Sequence, residues 1–251
     1  MHRIRRVLFL PRLPLVTLLV LAGCLLGFIV ELLLLALTPG LSVFLVKVGV
    51  VPLRVVSYFR RVEGATFLNS LLPFFSSLFL HGGFPHLLTN VLYVWMVGDA
   101  LEDWLGRTRF AVLFLFGVAA ELIIRIGTSA PPSGLPSVGI SGAVAALVGG
   151  YVVLLGKALH EKEKGRPGGG GVLRGLPLML MVGAWFPLQF LNGYLPLAQT
   201  CQTHEPISWL GLLTSFVLGS FLVSLSGRRG APTSAEAVAF PTQEDVSFLE
   251  A

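Results

Sequence analysis

The sequence predicts an all-α polytopic membrane protein, built as a bundle of six transmembrane helices. Of its 251 residues, 54% are hydrophobic and only 12% are charged, whereas soluble domains typically contain about 25% charged residues. Long apolar runs recur along the chain and alternate with short polar or basic segments. Lys and Arg outnumber Asp and Glu by 18 to 13, but no basic run is interleaved with aromatic residues, so we expect no nucleic-acid partner.

The first apolar run, Leu13 to Leu37, predicts the first helix. It is about 25 residues long, enough to span a bilayer, whereas a signal peptide has an apolar core of about 7 to 15 residues. Several arginines precede it, and no small-residue cleavage site follows it. Because basic residues favour the cytoplasmic side, we expect residues 1–12 to form a cytoplasmic basic tail.

Five further apolar runs predict the remaining helices. In chain order they are Phe84 to Leu101, Phe110 to Ile126, Val138 to Leu155, Leu176 to Leu197 and Ile207 to Leu225. Six spans place both termini in the cytoplasm, together with most of the basic residues, as the positive-inside rule requires. The membrane domain is therefore expected over residues 13–226, followed by a polar, disordered cytoplasmic tail at 227–251.

The long segment between the first two helices alternates apolar patches with charged residues. Within it, Val50 to Phe59 and Phe67 to Leu80 are expected to lie at the outer membrane interface. Cys24 lies in an apolar run and Cys201 in a short polar loop, so neither a disulfide nor a metal spacing is indicated. We expect no cofactor.

A serine between glycines stands at the head of the predicted fourth helix, in the sequence Val138-Gly139-Ile140-Ser141-Gly142-Ala143. Small residues continue behind Ser141 at helical spacing, and such a stripe lets neighbouring helices approach closely in lipid. Helix packing is therefore the simplest interpretation of Ser141 in isolation. The glycine spacing also differs from the G-x-S-x-G turn of soluble hydrolases.

Two polar residues of the predicted second helix fall at the same depth as Ser141. His86 and Asn90 are four residues apart and share a helix face, whereas His81 is expected about 140° round from His86, at the outer end of the helix. Polar groups inside a membrane are costly and usually face a bundle interior or cavity. The set predicts acyl-transfer chemistry, in which a serine attacks and nearby donors stabilise the oxyanion. A metal site is disfavoured, because His81 and His86 do not share a face and no carboxylate joins them.

These residues resemble the motifs of the rhomboid family of intramembrane serine proteases. The similar stretches, spread over about Leu72 to Leu225, are His81-Gly82, His86-Leu87, Asn90, Gly98-Asp99, Glu102-Asp103, Gly106-Arg107, Phe110, the motif around Ser141, Trp185-Phe186 and Gln189. The resemblance implies a rhomboid-like bundle with Ser141 as the nucleophile, His86 and Asn90 at the oxyanion hole, and His81, Gly139 and Gly142 as motif residues. It also implies that the fifth helix gates lateral entry of a substrate helix.

The sixth helix departs from the family pattern. Where the family carries its base histidine, this sequence has Leu212, and an aliphatic side chain cannot accept the serine proton. His204 is a candidate substitute base, although it lies eight residues earlier, about 12 Å higher along an ideal helix. His86 is the other candidate, at the cost of its oxyanion role.

Two functions therefore stay open. The first is a rhomboid-family intramembrane serine peptidase with Ser141 as nucleophile and a displaced base. The second is a catalytically inactive pseudoprotease that binds the transmembrane helices of client proteins. A transporter or channel is disfavoured, because the chain has no internal repeat. In either case the expected partners are a transmembrane helix and the lipid bilayer, and the expected location is a bacterial inner membrane.

Overall fold

The computed structural model describes residues 13–37, 40–128, 132, 134–163, 183–189 and 208–227, and within these ranges all regular structure is helical. The helices are α1 Leu15–Leu37, α2 Leu41–Val48, α3 Pro52–Phe59, α4 Phe67–Ser70, α5 Pro73–Ser77, α6 Phe84–Leu105, α7 Arg107–Thr128, α8 Ser141–Glu163 and α9 Trp209–Leu225. Residues 183–189 are helical as well. The predicted all-α class is confirmed.

Three of these helices are long and apolar enough to cross a membrane: α1, α7 and the part of α8 from Ser141 to His160. Helix α9 is also apolar but shorter. Only residues 183–189 of the predicted fifth helix lie within the described part of the chain, and the two terminal tails lie outside it.

Two predicted helix ends are displaced by glycines with positive φ. Helix α6 continues to Leu105, one turn beyond the prediction, and ends at Gly106, where φ is +78°. Helix α8 begins at Ser141 rather than Val138, because Gly139 has a φ of +101°. A left-handed residue does not continue a right-handed helix, so each glycine sets a boundary.

Helix α8 lies at the centre of the bundle, and most of its residues up to Ala158 are buried. Gly149 of α8 and Gly219 of α9 let these two helices lie directly against each other. A side-chain Cβ added to Gly149 would lie 2.1 Å from the Phe216 carbonyl oxygen, and one added to Gly219 would lie 2.0 Å from that of Ala146. The small-residue stripe therefore does what its spacing predicted, since it brings two helix backbones into contact.

At the end of the bundle away from Ser141, two charged side chains, one buried and one half-buried, join neighbouring helices. The Glu102 carboxylate accepts hydrogen bonds from the Val16 and Thr17 backbone N–H groups at 3.0 and 2.8 Å, and from the Thr17 hydroxyl at 2.9 Å. The two backbone N–H groups belong to the first turn of α1, where no carbonyl oxygen of the helix itself can accept them. The Lys157 ammonium on α8 donates to three carbonyl oxygens at the end of α9, those of Val223, Ser224 and Ser226.

The segment between α1 and α6 folds into the short helices α2 to α5. Helix α3 lies in the first predicted interfacial piece, and α4 and α5 lie in the second. Helix α2 was not predicted. Val50 pairs with Ser137 through two backbone hydrogen bonds of 3.2 and 2.7 Å, so this outer segment is joined to the residues that lead into Ser141.

Candidate active site

Gly139 shapes the approach to Ser141. Its φ of +101° lies in a region that side-chain-bearing residues rarely adopt. A Cβ at this position would also lie 2.8 Å from Cε1 of His86. The Gly139 N–H donates to the Ser77 carbonyl oxygen at 2.9 Å. Glycine is therefore required here both for the backbone conformation and for the space that the His86 ring occupies.

Ser141 and His86 are in direct contact. Nε2 of His86 lies 2.7 Å from Oγ of Ser141, although the two residues are 55 positions apart. Ser141 is the first residue of α8, and His86 lies in the first turn of α6. Both side chains are only partly buried. With the ring proton on Nδ1, Nε2 accepts the hydroxyl proton, which is the geometry that a serine nucleophile and its base require.

Asn90 lies one helical turn beyond His86 and is completely buried. Within the described part of the chain, neither its amide nitrogen nor its amide oxygen has a hydrogen-bond partner. A buried amide left in this way costs free energy and calls for an explanation. A donor kept free for a reacting group is one such explanation, and it agrees with the oxyanion role expected for Asn90.

The expectation that His81 and His86 lie on different faces was wrong. It assumed that the helix extends back to His81, but α6 begins at Phe84. The two rings pack edge to face with centroids 5.4 Å apart. His81 is 2% exposed, and burial lowers the pKa of its ring to about 4, so the ring is neutral at neutral pH. Among the described residues, no group of three or more His, Cys, Asp and Glu side chains is arranged to hold a metal ion.

Leu212 is buried in the hydrophobic core and offers no polar atom to the site. The Ser215 hydroxyl, less than one turn further along α9, donates to the carbonyl oxygens of Gly117 and Gly211 at 2.8 and 2.9 Å. It is therefore engaged with backbone. His204, the candidate substitute base, lies outside the described residues. The described histidine that contacts Ser141 is His86.

A family model described as "Rhomboid domain" matches residues 68–229 of the chain, close to the span expected from the motifs. The chain belongs to the rhomboid family. Its all-α bundle of apolar helices is that of a rhomboid integral membrane protein.

Bacterial rhomboid proteins are among the curated relatives of this chain. The chain is 35% identical over 79 residues to YdcA of Bacillus subtilis, which is described as a candidate rhomboid protease; the match covers 31% of the chain and 38% of the relative. It is 32% identical over 116 residues to the rhomboid protease GlpG of Salmonella newport and of Salmonella enteritidis, covering 45% of the chain and 38% of each relative. The matches thus span well under half the length of these relatives. No solved structure matches the chain.

The rhomboid site contains an ion pair that the sequence did not reveal as a feature. Glu121 and Arg125 on α7 form a partly buried salt bridge, with Arg125 Nε 3.0 Å from Glu121 Oε1. A Cβ on the motif residue Gly142 would lie 2.5 Å from Cβ of Glu121. A Cβ on Gly211 of α9 would lie 2.9 Å from the backbone carbonyl oxygen of Glu121. Gly142 therefore allows α7 to approach the start of α8, next to Ser141. The sequence signal that could have revealed this ion pair is the spacing of four residues between opposite charges on a predicted helix.

Residues 183–189 contribute aromatic packing to the rhomboid domain. Trp185 is fully buried, with its ring centroid 4.8 Å from that of Phe186 and 6.5 Å from that of Tyr93. Phe186 in turn packs against Phe216 of α9. These contacts join the short helical stretch to α6 and α9. That this stretch belongs to a gate for substrate remains a prediction.

Proposed function

We propose that this protein is an intramembrane serine peptidase in which Ser141 is the nucleophile and His86 is the base. The observation that carries the proposal is the distance of 2.7 Å between Oγ of Ser141 and Nε2 of His86. The names of the bacterial relatives, which describe rhomboid proteases, support the same class of reaction. His86 thereby takes the part that the family pattern assigns to the position of Leu212.

The reaction proceeds in two stages. His86 Nε2 accepts the hydroxyl proton as Oγ of Ser141 bonds to the scissile carbonyl carbon, and the proton then passes to the departing amine. A water molecule then attacks the acyl carbon while His86 accepts its proton, the bond from that carbon to Oγ of Ser141 breaks, and His86 returns the proton to Oγ, which leaves a carboxylic acid product and free Ser141. The oxyanion in each stage is stabilised by the Asn90 amide and by the backbone N–H groups at the start of α8, where the helix dipole adds positive potential.

The proposed substrate is a membrane protein with a transmembrane helix, which reaches Ser141 from the lipid bilayer. A substrate backbone becomes accessible to the serine where its helix ends or unwinds, because helical carbonyls are otherwise occupied by internal hydrogen bonds. We also propose that the protein lies in a bacterial inner membrane with both termini in the cytoplasm. The bacterial relatives support the membrane, and the distribution of basic residues supports the orientation.

A second candidate is a pseudoprotease that binds transmembrane clients without cleaving them. The buried Leu212 favours it, because α9 then presents an apolar core residue where the family pattern has a base. The two candidates differ in one respect only, namely whether Ser141 is activated. A binding role requires no contact between Ser141 and His86.

The test is cleavage of single-span membrane proteins co-reconstituted with the natural chain in liposomes. We expect new fragments with the natural chain and none with Ser141→Ala, which suits the small-residue stripe and should fold normally. If the natural chain fails to cut while Leu212→His cuts the same substrates, the site is formed but lacks a base. That result would reject the peptidase proposal and support the client-binding role.

A further inference from the structure

One face of α1 packs closely against the segment that precedes α6. A Cβ on Gly23 would lie 2.5 Å from the Phe79 ring, and one on Gly27 would lie 2.1 Å from the Phe79 carbonyl oxygen. Glu31 continues the same face, since it follows at the same four-residue spacing. The face formed by Gly23, Gly27 and Glu31 therefore sets where the backbone at Phe79 to His81 can lie.

The last residue of this face makes a direct polar contact with that backbone. Oε1 of Glu31 accepts the backbone N–H of His81 at 2.6 Å, across 50 positions of sequence. His81 precedes α6, so its N–H has no carbonyl acceptor within that helix and requires one elsewhere. Glu31 is 4% exposed. A buried carboxyl group in an otherwise apolar span is costly, and such groups are usually functional.

The contact continues from His81 to the proposed catalytic pair. The His81 ring packs edge to face on the His86 ring at 5.4 Å, and His86 contacts the Ser141 hydroxyl at 2.7 Å. The His86 ring also meets Gly139, where there is no space for a side chain. Gly139 and His81 therefore both limit where the His86 ring can lie, and the position of His81 depends on Glu31.

We propose that Glu31 is a positioning residue for the Ser141–His86 pair, acting through the His81 backbone. The inference rests on the proposed function for the meaning of the pair, but the contacts that it describes exist whether or not the serine reacts. It assigns α1 a role in the chemistry beyond spanning the membrane, although neither α1 nor Glu31 belongs to the matched family segment at 68–229.

The chain supplies a matched control in Glu102. It is as deeply buried as Glu31, at 4% exposure, and it also holds α1 through backbone N–H groups, but at the opposite end of the helix. Loss of either carboxyl group weakens the docking of α1. Only the loss of Glu31 removes the acceptor for the His81 N–H.

The experiment measures the rate at which a fluorophosphonate probe labels Ser141, and this rate is divided by the fraction of folded protein. The proteins compared are the natural chain, Glu31→Ala, Glu31→Gln and Glu102→Ala. Glu31→Ala should reduce this rate about tenfold or more, since displacements near 1 Å can cost up to about a hundredfold. Glu31→Gln keeps an oxygen acceptor for the His81 N–H, so it should retain most of the rate. Glu102→Ala should lower stability without lowering the rate per folded molecule.

A second readout does not depend on activity. The chain has 5 histidines, so the ring ¹⁵N resonances of His86 can be assigned by comparison with His86→Asn. Glu31→Ala should shift the Nε2 resonance of His86, and Glu102→Ala should not. If Glu31→Ala fails to fold, Gly27→Ala serves instead, because its methyl group displaces the backbone at Phe79 without changing a polar group.

The outcomes separate the two proposals. A natural chain that does not label, combined with a His86 resonance that moves in Glu31→Ala, would reject the peptidase function and keep the positioning role. Labelling of the natural chain with equal rates and unchanged resonances in Glu31→Ala would reject the positioning role and keep the peptidase. Equal losses in Glu31→Ala and Glu31→Gln, with no change in Glu102→Ala, would also overturn the hydrogen-bond argument.

Discussion

Replacing Gly139 with alanine should uncouple Ser141 from His86. The substitution places a methyl group 2.8 Å from Cε1 of His86, whereas carbon atoms in contact prefer about 3.5 to 4.0 Å. The ring must therefore retreat by about 0.7 to 1.2 Å. That retreat lengthens the present separation of 2.7 Å between Nε2 and Oγ beyond the usual hydrogen-bond limit of about 3.2 Å.

The same substitution also carries a conformational cost. At φ of +101°, a residue with a side chain costs of order 1 to 3 kcal/mol. We therefore expect reduced thermal stability in detergent and, per folded molecule, a loss of fluorophosphonate labelling of about a hundredfold.

The control is Gly156→Ala, in the same helix α8. Apart from the adjoining residues and backbone of its own helix, no described atom lies within 4 Å of a Cβ at that position, and alanine favours helix by about 1 kcal/mol over glycine. Stability should rise slightly and labelling should not change. Labelling of Gly139→Ala at the natural rate, with no loss of stability, would refute the geometry described for the site.

Three further predictions concern the supports of the bundle and the oxyanion donor. Glu102→Ala removes the acceptor for the first N–H groups of α1 and should lower the free energy of unfolding by about 0.5 to 2 kcal/mol, measured by denaturant titration in mixed micelles; an unchanged midpoint would contradict it. Lys157→Met removes the cation at the end of α9 and should cost about 1 kcal/mol in the same titration, more at low salt than at high salt, whereas equal loss at both would exclude an electrostatic cause. Asn90→Ala removes an amide that has no hydrogen-bond partner among the described residues, so melting in detergent should be nearly unchanged while labelling falls about 10²- to 10³-fold; natural labelling would show that Asn90 does not stabilise the oxyanion.

Much of the site was predictable because polar residues are conspicuous in an apolar sequence. Ser141, His86 and Asn90 stand in long hydrophobic runs, and their helical spacing indicated a common depth. The small residues behind Ser141 predicted the close approach of α8 and α9 that Gly149 and Gly219 make. The contact between Ser141 and His86 was recognised only as one alternative, because sequence spacing cannot measure a distance between helices.

Other features were not predictable for identifiable physical reasons. The partners of Glu31 and Glu102 are backbone N–H groups 50 and about 85 positions away, and backbone groups leave no trace in sequence. The misplacement of His81 came from extending a helical wheel past Phe84, where α6 begins. The glycines at 106 and 139 set helix ends through their positive φ, which sequence alone does not reveal.

Activation of Ser141 by His86 can be tested by comparing three proteins. The natural chain, His86→Asn and His160→Asn are treated with a fluorophosphonate probe in liposomes, and the labelled residue is located by mass spectrometry. His160 is a matched control, because it lies on the same helix as Ser141 at a distance of about 28 Å along the axis. We expect labelling at Ser141 in the natural chain and in His160→Asn, with a loss of at least about a hundredfold in His86→Asn. Equal labelling of all three proteins would contradict it.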